Sequence, residues 1–100
     1  MRWIVTGSQG QLGRCLRTSL GNRPEEMLVD QFSRAELDVS SREAVFSTLE
    51  GRDLATVDFL VNAAALTNVD LCESEPVRAR AVNRDGPCWL AQWCREQGVR

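Results

Sequence analysis

Apolar residues along the chain occur in two patterns, short continuous runs and longer stretches with helical spacing. The short runs are typical of strands that are buried on both faces of a parallel sheet. They predict strands over residues 2–6, 27–30 and 59–61, and residues 35–39 also read as a strand. Apolar positions three and four residues apart predict amphipathic helices instead. These helices are expected over residues 11–20, 40–49, 76–83 and 89–97.

Turn-forming and capping residues set the predicted ends of these elements. Ser40 and Glu43 have the spacing of a capping box at a helix start, and Pro76 suits the first residue of a later helix. Gly86-Pro87 is expected to break or kink that helix, because proline has no N–H to donate. Three predicted helix ends carry a glycine, at Gly21, Gly51 and Gly98.

Strands that alternate with helices predict an α/β fold, here a Rossmann-like doubly wound parallel sheet in one domain over residues 1–100. The strand at 35–39 follows its predecessor too closely for a crossover helix, so it is expected to be a stub. Val99 and Arg100 read as the first step of a further strand, and the sheet is therefore predicted to be truncated before its fifth strand. The strand at 59–61 would then be an open apolar edge at which two chains could self-associate.

A glycine-rich loop joins the first predicted strand to the first helix. Residues 6–13 read Thr-Gly-Ser-Gln-Gly-Gln-Leu-Gly. Gly7 permits a tight turn, Gly10 lets backbone N–H groups approach a pyrophosphate, and Gly13 removes a side chain where the helix crosses the strand. In this strand–turn–helix context the loop predicts dinucleotide binding. The alternative is a turn and helix cap whose glycines only satisfy backbone geometry.

Two acidic residues near the ends of predicted strands are candidate cofactor ligands. Asp30 lies roughly 20 residues after the loop, where a carboxylate accepts hydrogen bonds from the adenosine ribose and favours NAD. Arg34 lies nearby and could pair with a 2′-phosphate instead, which leaves the preference open. Asp38 could accept a hydrogen bond from the adenine amino group while Val39 packs on the ring. The alternatives are a solvated turn residue at Asp30 and turn chemistry ahead of Ser40 at Asp38.

Small residues follow the predicted strand at 59–61. Asn62 and the three alanines at 63–65 come at the topological switch point, where small side chains keep a crevice open for a cofactor. Close packing between neighbouring elements would explain the same alanines. The segment therefore supports cofactor binding without being specific to it.

Composition narrows the chemistry that the chain can perform. Charged residues make up 26% and hydrophobic residues 43% of the 100 positions, which suits one globular domain. The net charge of −2 gives no excess of positive charge for binding nucleic acid or an anionic membrane, so neither partner is expected. The sequence contains no His, Tyr or Lys, so the usual general base, phenol acid and amine nucleophile are missing. No catalytic residue is assigned, and binding is the favoured role.

The four cysteines invite a metal or disulfide interpretation. None has Cys-x-x-Cys spacing and no His completes a zinc set, so no metal site is predicted. Neither a signal peptide nor an apolar stretch of membrane-spanning length is recognisable. We therefore expect a cytoplasmic protein with reduced, buried thiols at Cys15, Cys72, Cys88 and Cys94.

These features in this order resemble the extended short-chain dehydrogenase/reductase superfamily. The middle of the chain narrows the resemblance: residues 61–70 read V-N-A-A-A-L-T-N-V-D, followed by C-E-S-E-P at 72–76 and A-V-N at 81–83. This segment is similar to the motif of dTDP-4-dehydrorhamnose reductases, V-N-A-A-A-x-T-x-V-D-x-x-E-x-E-P with an Asn in the following helix. Such reductases pass hydride from NADPH, often from NADH as well, to the 4-keto group of a dTDP-sugar to form dTDP-L-rhamnose.

The resemblance implies a role for each part of the site. The residues implied to hold the pyrophosphate belong to the glycine loop, namely Gly7, Gly10, Gln11, Leu12 and Gly13. Asp30 would face the ribose, and Asp38 and Val39 would hold adenine. The implied lining of the cofactor channel is Ala63, Ala64, Ala65 and Thr67. Thr67 and Val69 would face the nicotinamide or the sugar substrate.

One departure from that family concerns the chemistry. Its catalytic Ser/Thr and Tyr-x-x-x-Lys follow the next strand, and this chain contains neither Tyr nor Lys. The keto oxygen would lack its proton donor and the lysine that lowers the donor's pKa. With the sugar-binding part also missing, we expect an inactive NAD(P)-binding fragment of a longer reductase. The alternative is a non-catalytic Rossmann module of the same superfamily that binds nucleotide or regulates a partner enzyme.

Overall fold

Three parallel strands form one sheet in the computed structural model, which describes residues 1–52 and 57–100. They are β1 (Arg2–Thr6), β2 (Met27–Phe32) and β3 (Phe59–Asn62), and they lie in the order β2-β1-β3. Thr6 pairs with Phe32 on one side and with Asn62 on the other. The carboxyl ends of the three strands therefore meet at one edge of the sheet, which is where open parallel sheets bind ligands.

Helices cover both faces of this sheet. Ile4 and Val5 are neighbours on β1 and point to opposite faces, and both are fully buried. The described helices are α1 (Gln11–Gly21), α2 (Arg42–Glu50), α3 (Val69–Ser74), α4 (Pro76–Arg80) and α5 (Gly86–Gln97), with a π-helical turn (Ala81–Asp85) between the last two. The prediction of an α/β, Rossmann-like fold is confirmed.

The larger part of the hydrophobic core lies between the sheet, α2 and α5. Its best buried members, each at most 3% exposed, are Ile4, Phe32, Leu37, Val39, Val45, Leu49, Leu90 and Trp93. On the other side, α1 contacts β1 and β2 and buries Leu20. Burial of each large apolar side chain contributes about 1.5–3 kcal/mol, so this core holds the strand ends in a fixed relation to one another.

The prediction of a strand over residues 35–39 is wrong. This stretch forms turns, in which the N–H groups of Glu36 and Leu37 donate to the carbonyl of Ser33. Leu37 and Val39 are only 3% exposed, so the apolar residues that suggested a strand anchor a connection to the core instead. Too few residues follow β2 to carry the chain back across the sheet before this point. The sheet therefore has three strands among the described residues, where four were predicted.

Two predictions at helix boundaries are also corrected. Ser41 rather than Ser40 caps α2, because its hydroxyl accepts the N–H of Ala44. The helix does not break at Gly86-Pro87, since α4, the π-helical turn and α5 follow one another without interruption, and a kink there stays a prediction. The wider π-helical turn ends at Asp85, so the absent N–H of Pro87 falls in the first turn of α5, where proline is tolerated.

The outer edge of β3 is partly covered by Arg100. The N–H of Arg100 donates to the carbonyl of Asp58 at 3.0 Å, and the N–H of Leu60 donates to the carbonyl of Arg100 at 2.7 Å. This is the alternation of a parallel strand pair, as predicted for Val99 and Arg100. Self-association through the rest of this edge stays a prediction.

The four cysteines are free thiols, but their burial differs. Cys94 is buried as predicted and Cys72 is half-buried, whereas Cys15 and Cys88 are exposed. The expectation of burial is therefore wrong for two of the four, because they lie on the solvent-facing sides of α1 and α5. Within residues 1–52 and 57–100, no helix has the length and apolarity needed to cross a membrane.

Candidate functional site

A pocket of about 220 Å³ opens at the carboxyl edge of the sheet. The loop between β1 and α1 forms one wall, the segment after β3 forms the opposite wall, and the connection between β2 and α2 forms a third side. The lining residues are Gly7, Gln9, Gly10, Arg34, Leu37, Asp38, Val39, Ala63, Ala64, Ala65, Leu66 and Val82. The sequence predicts a dinucleotide site at this position.

Gly7 sets the contact between the two main walls. Its φ is +62°, a left-handed conformation that side chains other than glycine's rarely adopt. A Cβ built on Gly7 would lie 2.5 Å from the carbonyl carbon of Ala63 and 2.6 Å from the nitrogen of Ala64. The backbone of the glycine loop therefore rests directly on the backbone of the opposite wall, with no space for a side chain between them.

The other two glycines of the loop have different roles. A Cβ on Gly13 would overlap the carbonyl oxygen of Gly7 and lie 2.8 Å from the Cα of Ser8. A Cβ on Gly10 would meet only the Gly7 oxygen, at 3.4 Å, which is the limit of ordinary contact. The fold itself thus requires glycine at positions 7 and 13. At position 10 the absent side chain leaves open space on the side of the pocket.

The amino end of α1 begins at this open position. Gly10 is the N-cap residue, with extended backbone, and it offers no side chain to the first helical turn. Its carbonyl accepts the N–H of Arg14 at 2.9 Å, which closes the first turn of the helix. Gln11, Leu12 and Gly13 are not among the residues that line the pocket. Their N–H groups belong to the positively polarised helix end, which favours an anion.

Asn62 organises the opposite wall. Its Oδ1 accepts the hydroxyl of Thr6 at 2.6 Å and the N–H of Ala64 at 3.1 Å. In addition, the N–H of Ala63 donates to the carbonyl of Thr6 at 3.2 Å. The structure therefore brings the predicted alanines, Ala63 to Ala65, to the pocket and fixes their backbone against β1.

Thr67 and Val69, predicted on the nicotinamide or substrate side, lie beyond the end of this wall. Neither is among the pocket-lining residues, and both are exposed. Val69 is the first residue of α3 and is 69% exposed. Their roles toward nicotinamide or sugar stay predictions.

Asp38 and Val39 both line the third side of the pocket, and their role toward adenine stays a prediction. The Oδ1 of Asp38 accepts the N–H of Ser40 at 3.0 Å and its hydroxyl at 2.6 Å, so Asp38 also performs the turn chemistry that was its alternative. Val39 is buried against α5, where a Cβ on Gly86 would lie 3.0 Å from its Cγ2. Asp38 thus makes its turn hydrogen bonds and lines the pocket predicted to hold adenine in the same conformation.

Asp30 does not reach the pocket, although it was the predicted ribose ligand. It does not end β2, because the strand continues to Phe32 and a bulge shifts its register against β1. Its carboxylate lies 3.1 Å from the guanidinium of Arg52 and is mostly covered. Arg34, from the turn after β2, lines the pocket together with Asp38.

Four pocket-lining residues were not predicted. Leu37 was assigned to a strand, and Gln9 was passed over between two glycines of the motif. Leu66 follows the alanines directly, and Val82 belongs to the A-V-N triplet at 81–83, so a signal for each was present in the sequence. Among the described residues that line the pocket, Arg34 and Asp38 carry the charge. The arrangement is suited to binding and orienting a phosphate-bearing ligand more than to transferring protons.

Comparison with protein families and curated relatives gives a consistent result. The model of a family described as RmlD substrate binding domain matches residues 1–100. A dTDP-4-dehydrorhamnose reductase of Streptomyces griseus is 45% identical over 98 residues, which cover 98% of this chain and 31% of the relative. The reductase of the same name from Sinorhizobium fredii is 40% identical over 99% of this chain and 31% of the relative. The chain thus spans about a third of the length of these relatives.

Solved structures show the same fold. A dTDP-4-dehydrorhamnose reductase from Bacillus anthracis in complex with NADP superimposes with a TM-score of 0.84 at 29% identity, over 99% of this chain and 34% of that one. A UDP-glucose 4-epimerase from Thermus thermophilus in complex with NAD gives a TM-score of 0.79 at 25% identity, over 100% of this chain and 35% of that one.

Proposed function

Because this chain belongs to the RmlD substrate binding domain family, we propose that it is the dinucleotide-binding portion of a dTDP-4-dehydrorhamnose reductase. The cofactor is NADPH or NADH, and the substrate of the complete protein is a dTDP-sugar. The chain corresponds to about a third of such reductases, so its own contribution is the cofactor site.

The observation that carries this proposal is the space beside Gly10. The glycine loop and the alanine wall are in contact at Gly7, yet a Cβ at position 10 would meet only one atom within 4 Å. The amino end of α1 begins at the same place without a capping side chain or an acidic residue in its first turn. Backbone N–H groups and an open approach are what a pyrophosphate needs. The residues present therefore fit a dinucleotide.

The pocket divides into three parts along such a ligand. Gly7, Gly10 and the N–H groups of residues 11–13 would hold the pyrophosphate. Asp38 and Val39 would hold the adenine, with a carboxylate for the amino group and an apolar face for the ring. The small side chains at 63–65 leave a channel along the opposite wall toward Thr67 and Val69.

Within this proposal, the position of Arg34 favours NADPH over NADH. Arg34 lines the pocket beside Asp38, on the side assigned to adenosine, and its guanidinium suits the 2′-phosphate. Asp30, which would have repelled that phosphate, instead pairs with Arg52. The carboxylate of Asp30 is therefore held by another guanidinium, that of Arg52.

The cofactor supplies a hydride for reduction of the 4-keto group of the sugar. This chain's own residues bind and orient the dinucleotide. They offer neither a phenol nor an amine to protonate the keto oxygen, since the chain has no Tyr and no Lys. We also place the protein in the cytoplasm, a proposal supported by its four free thiols.

Titration of the chain with NADPH and NADH, followed by nucleotide fluorescence, tests this function. The unaltered chain should bind NADPH more tightly than NADH. Gly10→Asp should abolish binding, because a carboxylate would occupy the pyrophosphate position. Gly21→Ala is the matched control, since a Cβ at position 21 meets nothing within 4 Å. Undiminished binding by Gly10→Asp would refute the assignment of the loop.

A further inference from the structure

The side chain of Asn83 makes two hydrogen bonds to the far end of the alanine wall, at Leu66. The N–H of Leu66 donates to Oδ1 of Asn83 at 2.8 Å, and Nδ2 of Asn83 donates to the carbonyl of Leu66 at 2.9 Å. One amide thus satisfies both backbone groups of one residue, a two-point contact that fixes orientation as well as position. The thiol of Cys72 adds a weaker bond to the same carbonyl at 3.3 Å.

Leu66 closes the wall that faces the glycine loop. It is 8% exposed and lines the pocket next to Ala65. The near end of this wall is held by Asn62, whose Oδ1 accepts the N–H of Ala64. Asn62 and Asn83 therefore hold the four-residue wall at its two ends, and Asn83 acts from a different element of the fold.

The π-helical turn is what brings Asn83 to this position. Each residue of a regular α-helix rotates about 100° around the axis, so the extra residue of a π-turn changes the face presented before and after it. After the turn, α5 directs Gly86, Leu90 and Trp93 into the protein interior. Within the turn, Val82 reaches the pocket and Asn83 reaches Leu66. A regular helix with the same buried face on α5 would carry Asn83 away from the wall.

Core packing does not explain the amide. Asn83 is exposed, so removal of its side chain leaves no cavity in the core. We propose that Asn83 is a positioning residue for the cofactor pocket, fixing the Leu66 backbone and thereby the distance between the alanine wall and the glycine loop. This inference rests on the proposed function, because the wall affects binding only if a dinucleotide occupies the pocket.

The test combines two measurements on the whole chain, affinity for NADPH and hydrogen-exchange protection of the Leu66 N–H. Asn83→Ala should weaken NADPH binding about tenfold and remove the protection, because the Leu66 N–H loses its acceptor and the Leu66 carbonyl keeps only the weaker bond from Cys72. Asn83→Asp keeps an acceptor for the N–H but places a carboxylate against the Leu66 carbonyl. Asn83→Asp should therefore keep the hydrogen-exchange protection and still weaken NADPH binding. If the alanine variant does not fold, this variant alone tests the positioning role.

Glu26→Ala is the matched control. It removes the bond from the Trp3 indole to Glu26, at the amino edge of the sheet and away from the pocket. At a temperature where all variants are folded by circular dichroism, this control should bind NADPH as the unaltered chain does. Normal NADPH affinity in both Asn83 variants would overturn the positioning role alone. Failure of the unaltered chain to bind either nucleotide would overturn the proposed function and the positioning role together.

Discussion

Alanine substitution at Gly13 and Gly10 should separate stability from binding within one loop. At Gly13 the new Cβ overlaps the carbonyl oxygen of Gly7 and lies 2.8 Å from the Cα of Ser8, so backbone must move. Forced overpacking costs roughly 1–3 kcal/mol, and more when the obstacle is backbone. We expect a loss of about 3 kcal/mol, only slightly offset by alanine's better helix propensity. For a domain of 100 residues this lowers Tm by roughly 12–24 °C.

Gly10→Ala should behave in the opposite way. Its Cβ meets the Gly7 oxygen at 3.4 Å, and the backbone at position 10 is extended, with a φ of −73°. The cost at a helix N-cap is below about 1 kcal/mol, so Tm should fall by less than about 8 °C. The methyl group nevertheless enters the space assigned to the pyrophosphate, and NADPH affinity should fall by a factor of about ten or more, equivalent to about 1.4 kcal/mol.

The assay is a thermal melt followed by circular dichroism, paired with an NADPH titration of each folded variant. Gly21→Ala is the control for the substitution itself, because nothing lies within 4 Å of its Cβ. It should raise Tm slightly and leave binding unchanged. A Gly13→Ala variant that melts within a few degrees of the unaltered chain would contradict the argument from backbone contact. A Gly10→Ala variant with normal affinity would show that the pyrophosphate lies elsewhere.

Three further predictions concern charge and protonation. Arg34→Ala should raise the Kd for NADPH about tenfold in a fluorescence titration and leave the Kd for NADH unchanged. Equal effects on the two Kd values would contradict the assignment of Arg34 to the 2′-phosphate. Burial raises the pKa of the Cys94 thiol, so folding stability should fall as pH rises from the thiol's ordinary pKa through the raised one. Urea melts across that range should show a flatter profile for Cys94→Ala, and iodoacetamide should modify the exposed Cys15 and Cys88 before Cys94. The hydrogen bond from Trp3 lowers the pKa of the Glu26 carboxyl, so stability should fall as pH drops through that lowered value, and Glu26→Gln should flatten acid melts.

Local sequence rules explain which features could be predicted. The glycine spacing at 7, 10 and 13 marks the loop because positions 7 and 13 face backbone that leaves no room for a side chain, and position 10 lies open beside the pocket. Short apolar runs identified the described strands for a similar reason, since both faces of the sheet are covered. The order of motifs along the chain then placed the loop and the alanines at the same edge.

Features that depend on tertiary contacts were predicted less well. Leu37 and Val39 read as a strand because their alternation reports burial, and a connection anchored in the core is buried in the same way. Asp30 was placed at a strand end because neither the bulge opposite Trp3 nor the extension of β2 to Phe32 has a sequence signal of its own. The π-helical turn was not predicted either, because it depends on how α5 packs and not on a local sequence signal.

Glycines and alanines contribute much of the two facing walls of this pocket, and that fact affects where its sensitivity to substitution lies. These residues have little side chain with which to bind, so their contribution to affinity depends on where the surrounding structure holds their backbone. Asn62 and Asn83 hold one wall through side-chain amides, and Gly86 allows α5 to approach Val39 to within contact distance. Residues that never touch the cofactor can therefore affect its binding as strongly as those that line the site. Because Asn83 and Gly86 both lie between α4 and the body of α5, packing of this helix against the core and the geometry of the pocket are coupled.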